Sequence, residues 1–167
     1  MKTVLLLAMS CIVFNGCRVQ QSVDNSTINS LNLERYLGEW YEIARFDHSF
    51  ERGMIKTKAF YSLREDGKID VINSGMKNGE EKISKGKAKT TEKPALLKVS
   101  FFGPFYSDYR IMFLDEDYQY VLVGGSSEKY LWILARQPQL NQEVKVAILA
   151  EATNRGYDVS KLIWVEQ

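Results

Sequence analysis

Residues 33–47 read LERYLGEWYEIARFD, and the fold follows from how this stretch is read. A short helical lead-in gives way at Gly38, and Trp40 and Tyr41 then open a run in which polar and apolar residues alternate, as in a half-buried strand. Far downstream, KYLWILAR (129–136) has the same character and ends in Arg136. What joins these two runs decides the architecture.

Between them the chain breaks into short alternating segments separated by turn signals. GEWYEIARFDHSF (38–50) ends near Gly53, and KTKAFYSL (56–63) ends at REDGK. KIDVINS (68–74) runs to MKNGEE, and KISKGKAKTT (82–91) runs to Pro94. ALLKVSFF (95–102) meets a Gly-Pro turn, and DYRIMFL (108–114), YQYVLVG (118–124) and residues 129–136 complete the set. Eight strands at about twelve-residue spacing are the pattern of a meander. One helix comes next: Asn141 starts it, Gly156 stops it, and Val144, Ala147, Ile148 and Ala152 give it an apolar stripe. KLIWV (161–165) reads as a short ninth strand.

An all-β fold of eight antiparallel strands with one external helix predicts an up-and-down barrel, with a sandwich as the alternative. Eight strands leave room for one small ligand. Alternation names an inward set: Tyr61 and Leu63; Ile69 and Val71; Leu97, Val99 and Phe101; Ile111 and Phe113; Tyr130, Trp132 and Leu134. In KISKGKAKT, Lys85, Lys87 and Lys89 belong in water, which turns Ser84, Gly86 and Ala88 inward. Small inward residues leave space.

In an up-and-down meander the start of the first strand and the end of the eighth lie at one barrel end. Trp40 and Arg136 can therefore meet there, guanidinium on indole, and plug it. The Gly-x-Trp-Tyr opening at Gly38 and the Arg136 closing strand eight resemble the lipocalin signature. GEWYEIARFDHSFERG, LKVSFFGPFY, YLWILAR and GYDVSKLIWV are similar to the bacterial outer-membrane lipoprotein lipocalins, from about residue 31 to the end. That resemblance implies a calyx that binds fatty acids or lysophospholipids, in storage or transport that maintains the envelope.

The connections after strands one, three, five and seven lie at the open end. The aromatic turn FFGPFYSDY (101–109) is one of them. Phe102, Phe105 and Tyr106 are expected at the mouth with Phe46, Phe50 and Met54, while Trp132, Tyr130 and Phe113 line the pocket below. The subgroup's ligand-lining aromatics match Trp132 and Tyr106. A polar headgroup would stay near the mouth, with Arg110, His48 and tyrosine hydroxyls in reach. A rim that only packs loops together is the plainer reading.

The N-terminus carries Lys2, then VLLLAMSCIVF (4–14), too short to span a bilayer, then Gly16 and Cys17. This resembles a lipobox in which Cys17 is acylated and becomes the new N-terminus, with Phe14 and Asn15 departing from the usual residues. The alternative is a plain secretory signal. Both cysteines of the chain, Cys11 and Cys17, lie in this region, so an exported domain would hold no disulfide. Residues 1–16 are thus expected to be a signal, 17–30 a flexible polar tether, and 31–167 the folded domain. Arg18 is not the acidic residue that retains lipoproteins at the inner membrane, which points to the outer membrane.

Net charge is +1, with Lys2 the only charge in the first sixteen residues. A neutral domain with scattered charges gives no support for a nucleic-acid partner, and the sequence leaves a homodimer open. His48 is the only histidine, so no nitrogen/sulfur metal cluster is expected, and no cofactor is implied. Glu42 shares the parity of Trp40; facing inward it would need a cation or could act as an acid. One carboxylate is thin ground for catalysis, and the sequence reads as a binder. The rivals are a lipocalin-type enzyme acting on an apolar substrate and a subunit of an envelope assembly.

Overall fold

A computed structural model describes residues 22–167. After a one-turn helix α1 (Leu33–Tyr36) come the strands β1 (Gly38–Arg45), β2 (Ile55–Leu63), β3 (Ile69–Lys77) and β4 (Glu80–Thr90). Next in the chain are β5 (Leu96–Phe102), β6 (Phe105–Leu114), β7 (Tyr120–Gly124) and β8 (Leu131–Ala135), then helix α2 (Gln142–Asn154) and β9 (Ile163–Trp164). Each of β1 to β8 pairs antiparallel with its chain neighbour, except across the ring closure, where β8 pairs with β1. With β1 also paired to β2, the eight strands form a closed barrel and β9 lies outside on β1. The sandwich alternative is ruled out.

Alternation explains most of the interior. Tyr61, Ile69, Val71, Ala88, Leu97, Ile111, Val121, Val123 and Leu134 form one buried cluster, with Val99, Phe101, Tyr109 and Trp132 packed against it and partly accessible. A second layer lies between the wall and α2, where Met112, Leu122, Leu131 and Ile133 meet Ile148 and Ala152. Asn141 caps α2, its side chain accepting from the Val144 N–H at 2.8 Å, and Gly156 ends it at φ +88°. Of the expected stripe, Ile148 and Ala152 are buried, Val144 is half-buried, and Ala147 faces solvent. Gly86 is glycine because a Cβ there would stand 2.8 Å from the Phe101 ring, which takes the space instead.

Bulges change the phase of several strands. β1 shifts register between Glu42 and Ala44, β5 between Val99 and Phe102, and β6 between Ile111 and Phe113. A bulge adds a residue to one strand and moves the residues after it to the other face. Phe113, expected inside, therefore lies in the outer layer, stacked on Tyr120 at 5.9 Å, while Leu114 returns to the interior. Leu63, also expected inside, ends its strand 51% exposed, past the buried floor.

Residues 22–30, read from composition as part of a flexible tether, are fixed to the wall. The Asp24 and Ile28 N–H groups donate to the Arg155 and Ile111 carbonyls at 2.8 and 3.0 Å, and the Thr27 hydroxyl donates to the Pro94 carbonyl at 2.8 Å. Val23 and Ile28 supply apolar anchors that the polar composition hid. The signal segment and Cys17 lie outside the described residues.

Candidate functional site: the barrel interior and its two ends

At one end, Arg136 covers Trp40, with its guanidinium carbon 3.8 Å from the ring centroid. Its donors reach only carbonyl oxygens: Glu39 at 2.7 Å, Arg35 at 2.8 Å, Leu37 at 2.9 Å, Tyr36 at 3.2 Å and Tyr118 at 3.3 Å. Trp40 Nε1 donates to the Tyr36 carbonyl at 2.8 Å. Gly38, at φ +94°, makes the entry beside this plug, a conformation that suits glycine. The carbonyls left free at the end of a helix of four residues thus become the seat of a cation. Gly38, Trp40 and Arg136 come together here.

The opposite end is built from charge. Glu42 is 5% and Arg45 2% exposed, and they pair at 2.5 Å inside the wall. Arg45 also donates to the Glu51 and Met54 carbonyls, which fixes the loop after β1. Glu51 folds back over the opening. Its carboxylate accepts from Trp132 Nε1 at 3.1 Å and lies 2.8 Å from His48 Nε2, poorly aligned for a straight N–H···O bond. Burial, then the Glu51 charge, pushes the Glu42 carboxyl up to about 8, against the opposing pull of Arg45. Burial also raises Glu51, but the close approach of His48, the Trp132 bond and the charges of His48 and Arg45 outweigh it and hold it below the usual carboxylate range. Burial and the Glu51 charge thus favour the protonated form of Glu42 near neutrality, although Arg45 lies against it. Gln167 seals the wall outside, its side-chain amide donating to the Glu42 and Thr57 carbonyls at 2.6 and 3.2 Å.

Aromatic rings stand beside this cluster. Tyr130 and Trp132 stack at 5.9 Å and 9°, Phe50 lies 6.2 Å from Tyr130, and His48 lies 4.0 Å from Phe50. Phe102 and Phe105 flank the β5–β6 turn, 81% and 79% exposed.

Other residues expected at the mouth are elsewhere. Tyr106 lies on the outer face, its ring beneath Lys89 at 4.7 Å and Lys87 at 5.9 Å, because the phase that turns Tyr109 and Ile111 inward turns Tyr106 out. Phe113 is outside because the β6 bulge turns it there. Phe46 packs on Tyr157 under the helix side, and Arg110 is outside, paired with Asp108. Sequence reasoning missed Arg45 altogether. Simple alternation from Trp40 and Glu42 sends it to solvent, and only the β1 bulge brings it opposite Trp132.

Residues 31–167 match a family model described as a lipocalin-like domain. The chain is 53% identical over 146 residues to the outer membrane lipoprotein Blc of Escherichia coli, covering 85% of this chain and 82% of that protein. Its identity to the protein of the same name from Vibrio cholerae is 40% over 169 residues, 98% of each. Insecticyanin from the tobacco hornworm superposes with a TM-score of 0.72 at 21% identity, covering 88% of this chain and 86% of that one, which speaks for the fold alone.

Proposed function

The chain belongs to the lipocalin family, and on that premise we propose that it is a lipid-anchored outer-membrane protein that holds fatty acids or lysophospholipids in its barrel. The observation that carries this reading is incomplete filling. Val99, Phe101, Tyr109 and Trp132 all point inward in a closed barrel, yet each remains partly accessible. Side chains on an inner face stay accessible only where they border open space. Burying each methylene of an acyl chain there contributes about 0.8 kcal/mol relative to water. The net affinity is smaller, because the chain leaves a micelle or bilayer and loses freedom.

The anchor would be Cys17, after cleavage behind Gly16, and the similar bacterial proteins carry the words outer membrane lipoprotein in their names. Residues 22–30 are fixed to the wall and so do not belong to a tether. Cys17→Ser should yield soluble or uncleaved protein; a protein lacking acyl mass on Cys17, or one whose membrane attachment Cys17→Ser leaves unchanged, would remove the anchor from this reading.

Mass spectrometry of lipids extracted from natively purified protein tests the ligand, together with titration of delipidated protein by palmitic acid and palmitoyl lysophosphatidylcholine. Trp132 fluorescence should respond, and Trp132→Phe should abolish most of the change. Binding of no long-chain lipid by delipidated protein would end the carrier hypothesis. The enzyme alternative draws on Glu42, a buried acid that keeps its proton near neutrality. Its own test is loss of turnover of an apolar substrate on Glu42→Gln with binding retained.

A further inference from the structure

The plugged end of the interior holds three tyrosines from three elements, Tyr36 of α1, Tyr61 of β2 and Tyr109 of β6, with their hydroxyls in contact. Tyr36 and Tyr109 Oη lie 2.6 Å apart, and Tyr61 Oη donates to Tyr109 Oη at 3.0 Å. Each hydroxyl brings one hydrogen and two lone pairs. Three hydrogens serve two hydroxyl–hydroxyl contacts, so one hydrogen is left over. Placing it on Tyr36 or Tyr61, only 1% and 4% exposed, would strand a buried donor. The Tyr36–Tyr109 contact can run either way; with Tyr36 as donor, Tyr109, the one residue of the three that is partly accessible, accepts from both neighbours and keeps its own hydrogen for the interior.

The surroundings favour an acceptor. Behind the floor stands the Arg136 guanidinium, bound to carbonyl oxygens and stacked on Trp40. Its charge acts on the Tyr36 and Tyr109 hydroxyls. Burial, opposed only in part by that charge, raises both phenols well above their usual value, and burial raises Tyr61 too, so all three stay neutral and able to donate.

We propose that the Tyr109 hydroxyl is a hydrogen-bond subsite at the deep end of the barrel, taking an electron-rich oxygen of the bound lipid. This rests on the carrier reading and adds that the deep end of the ligand is not hydrocarbon alone. The oxygen has two sources: the carboxyl group of a fatty acid entering head first, or a hydroxyl near the far end of a chain entering tail first. A site built around a donor discriminates against ligands that leave it unpaired.

The test compares wild type with Tyr109→Phe for three probes followed by Trp132 fluorescence: palmitic acid, 16-hydroxyhexadecanoic acid and palmitoyl lysophosphatidylcholine. The last has a bulky zwitterionic head and a plain hydrocarbon end. The expected result is about fivefold or greater weakening of an oxygen-bearing probe, with the lysophospholipid within about twofold. Weakening of both acids assigns head-first entry; weakening of the hydroxy acid alone assigns tail-first entry. Equal change in all three probes, or none, overturns the subsite and leaves the carrier standing. If no probe binds wild type, both fall. Tyr61→Phe, which keeps the Tyr109 hydrogen, should preserve the wild-type ranking. Should Tyr109→Phe not fold, wild type carries the test through two readings. They are the infrared carboxyl band of bound carbon-13-labelled palmitic acid and the relative affinity of the hydroxy acid. A hydrogen-bonded band or undiminished hydroxy-acid affinity supports the subsite. A free band together with about tenfold weaker hydroxy-acid binding overturns it.

Discussion

The two ends of this barrel each hold an arginine, half-buried at the plug and fully buried at the mouth, and neutralise it in opposite ways. Arg136 at the plug gives its hydrogens to backbone carbonyls and its face to Trp40, with no carboxylate in the arrangement. Arg45 at the mouth is tied to Glu42 and lies near Glu51, two carboxylates for one cation. The plug is neutralised by fixed dipoles and does not depend on proton supply. The mouth depends on where one proton sits. Stability should therefore be pH-independent at the plug and pH-dependent at the mouth, and substitutions at each end separate the two.

Arg45→Met should be the most damaging of the substitutions proposed for these two ends. It removes the only arginine from a site that keeps Glu42, Glu51 and His48, and frees the Glu51 and Met54 carbonyls. Breaking a buried pair on one side costs about 3–5 kcal/mol. Urea unfolding at neutral pH should show a loss of that size, partly recovered by adding Glu42→Gln. A loss below about 1 kcal/mol would mean that the carboxylates do not need Arg45.

Arg136→Ala should come next, at about 2–3 kcal/mol, since several carbonyls lose a charged donor at once. Combined with Trp40→Phe in a double-mutant cycle, it should show coupling of about 1 kcal/mol. The coupling should be the same at pH 6 and pH 8. Additive effects would separate the two residues.

The third test is the pH profile itself. Glu42 is raised by burial, then by Glu51, so the folded state holds a proton that the unfolded chain releases near its ordinary carboxylate value. Between that value and about 8 the folded state binds more protons than the unfolded one, and stability falls as pH rises. Glu42→Gln removes that slope, so it should gain on wild type steadily from about pH 5 to pH 8, by on the order of 3 kcal/mol. Glu51 acts in the other direction. Held low, it contributes stability above its unfolded value that is lost as pH falls through its folded one. A parallel pair of profiles for wild type and Glu42→Gln would mean that Glu42 is ionised throughout.

The same contrast explains what the sequence made legible. The plug was readable because Gly38, Trp40 and Arg136 sit at strand ends, where topology alone fixes the barrel end and no bulge intervenes. The barrel itself came from regular turn spacing. The mouth was readable only in part: an inward Glu42 in need of a cation follows from parity with Trp40, but the β1 bulge that supplies Arg45 is invisible in composition and reverses the side on which that residue falls. The β6 bulge misled in the same way over Phe113. Tyr106 needed no bulge: its parity with Asp108 and Arg110 already points outward, and its place in an aromatic turn obscured that. Residues 22–30 are polar by count, but Val23 and Ile28 are enough to fix them to the wall.

The smallest effect on stability belongs to the β5–β6 turn. Phe102 and Phe105 are 81% and 79% exposed, so replacing both with Ser removes little buried area, and unfolding free energy should stay within about 0.5 kcal/mol of wild type. Phe113→Ala is the control: its ring is half-buried in the outer layer against Tyr120, and its loss should cost about 2–3 kcal/mol without altering lipid affinity. The carrier reading expects the reverse from the turn, namely unchanged stability with altered entry or exit of palmitoyl lysophosphatidylcholine, seen as changed association and dissociation rates in stopped-flow Trp132 fluorescence. Rings that cost energy to expose and contribute nothing to folding are retained for something that meets them. If the double serine variant folds like wild type and exchanges lipid at the wild-type rate, the turn plays no part in ligand passage, and the cluster of Glu51, His48, Tyr130 and Trp132 alone defines the mouth.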